Sequence, residues 1–557
     1  MAKAESILDL IDVKFQDATN HVSFTSDDIM GVVMPYYWGE ADKIRVHNKT
    51  SFYEMYPESL PIGVSGLTDN DKDIYSAYAQ IKAFFAHGGG QVEIIRPVSG
   101  FKYQQLSITA NGTFESGEVM DLSDTQHDEE AALSVALKYA GYVPQTLALG
   151  YNNIAVKVES TTIKGYAGAD TCLKISVQGV KTANSTDTFT NLEVFEGSTN
   201  PLANVDGESI YLEDVVNSDY IDVKVFGIVT AMDNSVTKKC NEYTNTGANA
   251  IVLNNDVDNV IALGVKAAYK YFRDFEVSNA TLVINPFVKK DLVEPVDNEI
   301  ASLAEYRKNV MAVIGYPVDR TYDYDNIKSY FYDNSENNGQ AASNALGNKF
   351  CIALQGREII SLFGYRYVLN CVAGYCGKMI NVAKEAHLNQ IASGYIYGIY
   401  GGSLKESLLS GDVIDLMEYG INSVYTSKRG NIIWGTRTMY SKQSSYFGKT
   451  NVMRVCSAIL KNIFPVAVET LHTDAASNPI TRATLSTMLN SIIDTFISNQ
   501  DLHADSYADC SDIINTDYLT KGGTVLNIIL MLHFIGLVER VSIKIIATDT
   551  SVTAEFV

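Results

Sequence analysis

A histidine followed by three glycines is the first segment of this chain that could do chemistry. His87 and the run Gly88–Gly90 match the oxyanion loop of lipases, in which backbone N–H groups stabilise a tetrahedral intermediate. That chemistry needs a serine in a G-x-S-x-G elbow, and the nearest candidate, Gly63–Leu67, lacks the final glycine. The glycines are therefore predicted to form a helix C-cap and turn, and a hydrolase using His87 is the weaker alternative.

The run Gly448–Thr450 ends like a phosphate-binding loop. Gln443 stands where the motif G-x-x-x-x-G-K-T requires its first glycine, and no strong strand precedes the run. Backbone N–H groups cradle phosphates only when both glycines let the loop turn tightly. A nucleotide site is therefore not predicted here.

Five acidic or imidazole side chains lie between residues 501 and 512. Carboxylates at this density could bind a hard metal ion. The segment lacks the D-x-D-x-D-G-x5-E loop of calcium sites, and charge-rich polar segments between periodic elements are usually solvated loops. No metal site is therefore predicted at these residues, which are Asp501, His503, Asp505, Asp509 and Asp512.

The cysteines indicate a reduced protein. Their number is seven, an odd count, and their spacing along the chain is irregular. The one close pair, Cys371 and Cys376, has no second Cys or His pair nearby that would complete a zinc site. We expect buried free thiols in a protein assembled in a reducing cytoplasm, without a metal or other cofactor.

The acidic composition excludes several classes of partner. Asp and Glu number 65 against 43 Lys and Arg, which gives a net charge of −22. Such a charge repels nucleic-acid phosphates and anionic membranes, so neither is an expected partner. The longest apolar run, Val525–Val538, is interrupted by Asn527 and His533 and falls short of the roughly 20 residues that span a bilayer. Residues Met1–Glu5 do not open a secretory signal, and no membrane insertion is expected.

Hydrophobic periodicity divides the chain into a core and further parts. Ile74–Phe85 has helical spacing and stops at the three glycines, after which Val92–Ile95 is predicted to be a strand. Between 101 and 205, alternating runs such as Ile154–Val158 lie between Thr-, Asn-, Ser- and Gly-rich turns, which predicts an inserted β-rich domain. A chain of 557 residues is too long for one core, so the predicted fold is α/β and α+β multidomain. Its predicted parts are an N-terminal arm at 1–27, an α/β core at 28–100 and 206–400, the β-rich insert at 101–205, an α+β C-terminal domain at 401–538 and a C-terminal arm at 539–557.

One segment near the C-terminus has a recognisable pattern without a catalytic motif. It spans Gly420–Thr438 and reads GINSVYTSKRGNIIWGTRT, which predicts two short strands divided by glycines. It resembles the signature G-I-N … G … I-W-G-x-R-T of contractile tail sheath proteins. From the residues alone, Trp434 is expected to be a packed aromatic, and Arg437 to anchor a turn or a neighbour's carboxylate. The residues that match the signature are Gly420, Asn422, Trp434, Gly435, Arg437 and Thr438.

Other segments resemble sheath proteins in the same order along the chain. The resemblance therefore covers nearly the whole sequence. These segments are Gly31–Asn48, Ala83–Val98, Glu208–Val225, Val372–Lys378, the helix-like run around Arg454, and Ile514–Thr516 before the Gly522–Gly523 turn.

Both ends of the chain are predicted to be strands. Apolar and polar residues alternate through Ile11, Val13 and Phe15, and again through a C-terminal set of Val541, Ile543 and Ile545. A free strand with one apolar face must pair within its own domain or add to a neighbour's sheet, and the sequence leaves both open. The resemblance implies the second, because sheath subunits exchange terminal arms.

The resemblance implies a structural protein, not an enzyme. It predicts the subunit of a contractile bacteriophage tail sheath, with six-fold rings stacked around an inner tube and contracting from a metastable state. The implied partners are other copies of the chain, the inner tail tube protein, and the baseplate and tail terminator proteins. The implied location is the virion, after assembly in the host cytoplasm. The sheath of a contractile bacteriocin or secretion system is the alternative within the same family.

Overall fold

The computed structural model describes most of the chain between residues 28 and 556. Ile11, Val13, Phe15 and Val541, named above as arm residues, lie outside the described part. The described residues are 28–35, 44–56, 58, 75–96, 103–119, 131–137, 153–168, 171–183, 186–218, 220–230, 232, 235–239, 264–332, 345, 347–440, 445–471, 473–475, 478–511, 515, 526–536, 543–547 and 552–556.

The described part contains both strands and helices, in agreement with the predicted mixed α/β class. The strands are β1 Ile29–Val33, β2 Arg45–Asn48, β3 Gln91–Ile95, β4 Tyr103–Thr109, β5 Phe114–Val119, β6 Ala131–Leu137, β7 Asn153–Ser160, β8 Cys172–Ala183, β9 Thr186–Ser198, β10 Asn204–Val205, β11 Glu208–Ser209, β12 Ile221–Val225, β13 Val236–Lys239, β14 Leu282–Ile284, β15 Met311–Gly315, β16 Cys351–Gln355, β17 Arg357–Leu362, β18 Tyr365–Asn370, β19 Ser403–Glu406, β20 Ile421–Ser427, β21 Gly430–Trp434, β22 Tyr507–Asp509, β23 Ile529–Met531, β24 Ile543–Ala547 and β25 Val552–Phe556. The helices are α1 Lys49–Met55, α2 Ser76–Ala86, α3 Leu212–Val215, α4 Lys290–Arg307, α5 Tyr324–Phe331, α6 Val372–Glu385, α7 Gly394–Tyr397, α8 Ser410–Glu418, α9 Thr450–Thr470 and α10 Pro479–Ser498, with 3-10 turns at Tyr269–Arg273 and Tyr446–Gly448.

The chain divides into two compact units. Of the described residues, the larger unit holds those within 28–381 and 393–448, and the smaller unit holds those within 382–392 and 449–556. The expected C-terminal domain began at residue 401, whereas β19, β20 and β21 belong to the larger unit. The reason is long-range pairing, since β20 adds in parallel to β16, a strand some 70 residues earlier in the chain.

An eight-stranded sheet forms the core of the larger unit. Its order is β2-β3-β1-β14-β15-β16-β20-β21. The inner strands from β3 to β20 pair in parallel, and the antiparallel strands β2 and β21 close the two ends. Every residue of β14, β15 and β16 is buried, as expected for a parallel sheet covered on both faces.

The predicted β-rich insert consists of two antiparallel sheets. Their orders are β12-β6-β4-β5 and β13-β7-β8-β9. The insert therefore runs past the expected end at residue 205, because β12 returns to pair with β6 and β13 with β7. We call residues 103–239 the β insert below.

The smaller unit is built on the contact of two long helices. Helix α9 buries Val455, Ile459 and Ile463 against Leu485 and Leu489 of α10. By length and composition alone α9 is apolar enough to cross a membrane, but more than half of it is buried, and a core helix passes the same test. The arrangement is that of a core helix.

The C-terminal strands form a hairpin. Five residue pairs join β24 to β25, from Ile543 opposite Phe556 to Ala547 opposite Val552. Within the described residues, these two strands form a sheet of their own. The alternation seen in the sequence thus corresponds to two strands that pair with each other.

Candidate functional site

The signature segment forms the hairpin β20–β21 at one end of the core sheet. Gly420 precedes the first strand with φ +82°, and Gly430 closes the turn between the strands with φ +104°. Both values lie in the left-handed region, which glycine adopts without strain. Two signature-segment glycines are thus explained by the backbone path of the hairpin.

Asn422 is the centre of the signature. Its side chain is fully buried. Its Nδ2 donates to the carbonyls of Ala353, at 3.0 Å, and Arg437, at 2.7 Å, while its Oδ1 accepts from the Arg437 backbone N–H at 2.9 Å. The amide therefore joins β20 to the chain after β21, 15 residues on, and to β16, 69 residues earlier.

Gly435 leaves the space that this amide needs. Its φ is +130°, and a Cβ at this position would overlap Asn422 Oδ1 and lie 2.9 Å from Asn422 Cα. Any larger residue would push the amide out of place. The glycine after Trp434 is thus a packing requirement of the Asn422 contact.

Thr438 fixes the next step of the chain. Its backbone N–H donates to Gly448 O at 3.0 Å, and its Oγ1 donates to Phe447 O at 2.8 Å. The neighbouring Met439 N–H donates to Cys351 O at 2.8 Å. The carbonyl of Gly448, from the run that imitates a phosphate loop, is therefore used inside the fold.

Trp434 lies on the opposite side of the hairpin from this network. It packs with Leu408 against the small buried cluster of Val413, Tyr425 and Ile432. Its ring meets Tyr395 edge to face, with centroids 6.1 Å apart. The structure thus brings Gly420, Asn422, Gly435, Arg437 and Thr438 together around one strand end and sets Trp434 apart as a packing residue.

The glycines after His87 form the C-terminal cap of α2, which confirms the sequence prediction. Gly88 has φ +93°, and its N–H donates to Phe85 O at 3.3 Å, while Gly89 N–H donates to Phe84 O at 3.0 Å. This pair of bonds is the Schellman arrangement. Their N–H groups therefore satisfy helix carbonyls and do not face a substrate.

His87 itself belongs to a buried polar cluster that the sequence did not indicate. Its Nε2 lies 3.4 Å from Glu358 Oε2, and its ring stacks on Tyr400 with centroids 3.9 Å apart. Burial, with the nearby thiol and carboxylate of Cys371 and Glu358, raises the pKa of Tyr400 well above its ordinary value. Burial, followed by the charge of Glu358, likewise raises the pKa of Cys371.

Glycines close the His87 cluster on two sides. A Cβ at Gly374 would overlap the Tyr400 hydroxyl, and one at Gly402 would lie 2.6 Å from Glu358 Oε2. Backbone thus approaches the reactive atoms where a substrate would have to sit. The arrangement suits a hydrogen-bonded core joint between α2, β17 and the loop before β19.

The acidic segment after α10 does not converge on one site. Asp501 is buried, and its Oδ1 accepts from the Asn389 N–H at 2.7 Å, whereas Asp505 is exposed and lies 2.5 Å from His533 Nδ1. Asp509 Oδ1 accepts from Ser511 N–H at 2.8 Å, and Asp512 lies outside the described residues. Among the residues that the structure describes, no group of three His, Cys, Asp or Glu side chains could hold a metal ion.

Comparison with known protein families finds no match for the chain, and comparison with curated protein sequences finds none. Among solved structures, it is similar to a sheath tail protein from Desulfitobacterium hafniense at 11% identity, with 89% of this chain and 93% of that chain covered and a TM-score of 0.41. It is similar to a sheath tail protein from Listeria innocua at 12% identity, over 88% of this chain and 90% of that chain, with a TM-score of 0.48. A third similar structure is the helical sheath of the anti-feeding prophage in its contracted state, at 11% identity, over 95% of this chain and 96% of that chain, with a TM-score of 0.47.

Proposed function

We propose that this chain is the sheath subunit of a contractile tail, and that the tail is that of a bacteriophage. The observation that carries the proposal is the ordered series of sheath-like segments along nearly the whole sequence. The signature among them is not a surface motif, since Asn422 and Thr438 are buried and make specific hydrogen bonds. A resemblance that includes buried, hydrogen-bonded residues supports a shared fold more strongly than a resemblance of surface residues.

The polymer that we propose stores the energy of contraction in its own packing. Subunits form six-fold rings, which stack in a helical tube around the inner tube in a metastable extended state. Release at the baseplate lets the subunits repack into a shorter and wider lattice of lower free energy, so no nucleotide is consumed. Such a lattice needs heterologous contacts, because only contacts that do not close give an open filament.

The C-terminal hairpin suits a role between subunits. A two-stranded sheet is marginally stable by itself, and its outer edges carry backbone groups that can pair with another strand. We propose that β24 and β25, with Val541 before them, add to the sheet of a neighbouring copy. The same role is proposed for the N-terminal residues Ile11, Val13 and Phe15.

The resemblance to sheath proteins also suggests where each part of the chain lies in the tube. We propose that the β insert lies on the outside of the tube and that the C-terminal domain faces the inner tube protein. Rings at the two ends would contact the baseplate and tail terminator proteins. The chain length of 557 residues and the β insert favour a phage tail over a bacteriocin or secretion-system sheath, which are often built from shorter or split chains.

A hydrolase is the competing function, and the His87 cluster is the place to look for it. The cluster has a histidine, a carboxylate, a thiol and a phenol, but glycine backbone fills the approach to them. Two of the three glycines of the lipase-like loop, Gly88 and Gly89, cap a helix. The geometry favours a structural role.

Negative-stain electron microscopy of concentrated protein tests the proposal. We expect tubes or stacked rings, and spontaneous assembly is expected to give the contracted form because the extended form needs an inner tube and a baseplate as template. An esterase screen of the same sample is expected to show no turnover. Monomer at high concentration that also fails to coat a purified inner tube would refute the proposal.

A further inference from the structure

Helix α7 and the residues after it carry exposed apolar side chains beside the signature hairpin, although Tyr395 and Ile399 also contact β21. Ile396 is 78% exposed, Ile399 54% and Tyr395 44%, although all three are apolar or aromatic. Beside them, the turn residues Lys428 and Arg429 are exposed. We call these five residues the hairpin surface.

Arg429 is already ordered on this surface. Its guanidinium carbon lies 4.9 Å from the centroid of the Tyr395 ring. An arginine stacked on an aromatic face keeps its N–H groups free at the edge, where they can hold a carboxylate in a two-bond contact. The hairpin surface is therefore prepared for an acidic partner with apolar side chains next to the acid.

The smaller unit carries a surface of the opposite kind. In the hairpin of β22 and β23, Ala508 and Leu530 point to the core while the residues on either side of each point outwards. Three of the outward residues are apolar or aromatic and 42–48% exposed. The outward residues, which we call the acidic face, are Asp505, Tyr507, Asp509, Ile529, Met531 and His533.

The acidic face combines two carboxylates with a continuous apolar strip. Tyr507 lies directly opposite Met531 in the strand register, and Asp509 opposite Ile529. Asp505 contacts His533, yet a carboxylate has room for further hydrogen bonds beyond that one. Large apolar side chains flanked by charge are the composition expected of an interface core and its rim.

We infer that the hairpin surface of one copy of this chain docks on the acidic face of a second copy. Both surfaces occur on every copy, they differ from each other, and their charges are complementary. A contact between unlike surfaces is heterologous and can propagate from copy to copy. The inference rests on the proposed function, since it names where two sheath subunits meet.

A second copy fits better than a different partner because of the overall charge. At −22 the chain repels other copies at long range, so a contact between copies needs local attraction at the points of approach. Lys428 and Arg429 supply two adjacent exposed positive charges in a protein of net negative charge. The acidic face is the matching negative surface on the same chain.

Charge reversal followed by mixing tests the inference. One variant carries Lys428→Glu and Arg429→Glu, and the other carries Asp505→Lys and Asp509→Lys. We expect each variant alone to need at least about a tenfold higher concentration to assemble, because like charges face each other across the contact. An equimolar mixture is expected to assemble near the unmodified concentration, since each reversed surface then finds its reversed partner.

The control is a reversal of equal charge elsewhere. Lys49→Glu with Lys164→Glu changes two exposed lysines of the larger unit and is expected to assemble like the unmodified chain. Circular dichroism and thermal unfolding of all variants check that each is folded. Folded single variants that assemble normally would overturn the inference, as would a mixture that assembles no better than its components.

The same experiment separates this inference from the proposed function. Tubes that are insensitive to the reversals would refute the docking contact and leave the sheath function standing. If the unmodified chain forms no tubes and also fails to coat a purified inner tube, analytical ultracentrifugation measures weaker self-association. Charge-dependent dimers would then support the contact while refuting the sheath function, and a strict monomer would refute both.

Discussion

The Asn422 side chain uses both atoms of its amide inside the larger unit. Its Nδ2 donates to the carbonyls of Ala353 and Arg437, and its Oδ1 accepts from the Arg437 N–H, so all of these partners lie outside β20. A buried hydrogen bond contributes about 1 kcal/mol net, but leaving its partner unpaired costs about 1–3 kcal/mol. The signature asparagine therefore acts as a joint whose loss leaves backbone groups unsatisfied in the core.

Two glycines of the hairpin give a matched test of that joint. Gly435→Ala places a Cβ against Asn422, whereas Gly430→Ala meets nothing within 4 Å, and both residues have positive φ. We expect Gly430→Ala to lower the free energy of unfolding by about 1–2 kcal/mol through backbone strain alone. Gly435→Ala is expected to cost about 1–3 kcal/mol more through overpacking. Denaturant unfolding followed by fluorescence measures both, and equal losses would contradict the role given to Asn422.

The cysteines allow a chemical test at single residues. Burial raises the pKa of Cys351 and Cys371 well above the ordinary value, and Cys456 is the described cysteine with partial exposure. The thiolate is the nucleophile, so raising the thiol pKa lowers the reactive fraction at a given pH.

We expect iodoacetamide at pH 8 to label Cys456 at least about tenfold faster than Cys351 or Cys371, as measured by mass spectrometry of peptides. In denaturant the three rates should become similar, which serves as the control. Comparable rates in the native protein would show that the core around Cys351 and Cys371 opens readily. Disulfides joining these cysteines in freshly assembled particles would contradict the expectation of free thiols.

At the scale of elements, local sequence patterns predicted individual helices and strands. Helical spacing followed by three glycines predicted the helix that the structure has at Ser76–Ala86, and alternation predicted β7 at Asn153–Ser160. The ends of the larger parts were harder. Described strands of the β insert continue to residue 239, beyond the predicted end at 205, because β12 and β13 pair with strands more than 70 residues earlier.

Contacts between residues far apart in sequence also could not be predicted for the candidate site. The signature residues could be named from their order in the sequence, but the Asn422 joint includes Ala353, which is 69 residues away. The partner of His87 is Glu358, 271 residues further on. A single sequence holds no local signal for such pairs, because they are set by the stacking of the core strands and not by nearby periodicity.

The C-terminal hairpin carries the element-scale prediction. Removal of residues 541–557 deletes β24 and β25, which pair with each other and with no other described strand. The remaining chain should therefore fold, while every contact between copies loses about five ladder bonds of about 1 kcal/mol each. Circular dichroism should show a folded protein and sedimentation should show no polymer.

Two outcomes would count against this prediction. A truncated chain that builds normal tubes would show that the hairpin does not link subunits. A truncated chain that fails to fold would show that the hairpin completes a sheet of its own copy.

At the scale of the whole molecule, the residues that form the buried cores differ from the residues that we propose to contact other copies. The core sheet ends in an antiparallel strand on each side, and α9 with α10 buries its own core in the smaller unit. The parts that we propose to contact other copies are the hairpin surface, the acidic face and the terminal hairpin, whose two strands form a sheet separate from the core sheet. A sheath needs this separation, because its subunits must change neighbours during contraction without unfolding.

The β insert gives the last prediction, because the core sheet does not depend on it. Among the described strands, every hydrogen-bonded neighbour of a core strand is another core strand, and none lies between residues 103 and 239. We expect a variant in which a short Gly-Ser linker replaces residues 101–240 to fold with a melting temperature near that of the full chain. If the insert lies on the outside of the tube, the variant should still assemble, and electron microscopy should show tubes of smaller outer diameter with the same axial repeat. A changed repeat would place the insert between subunits, and loss of assembly by a folded variant would make the insert part of the lattice itself.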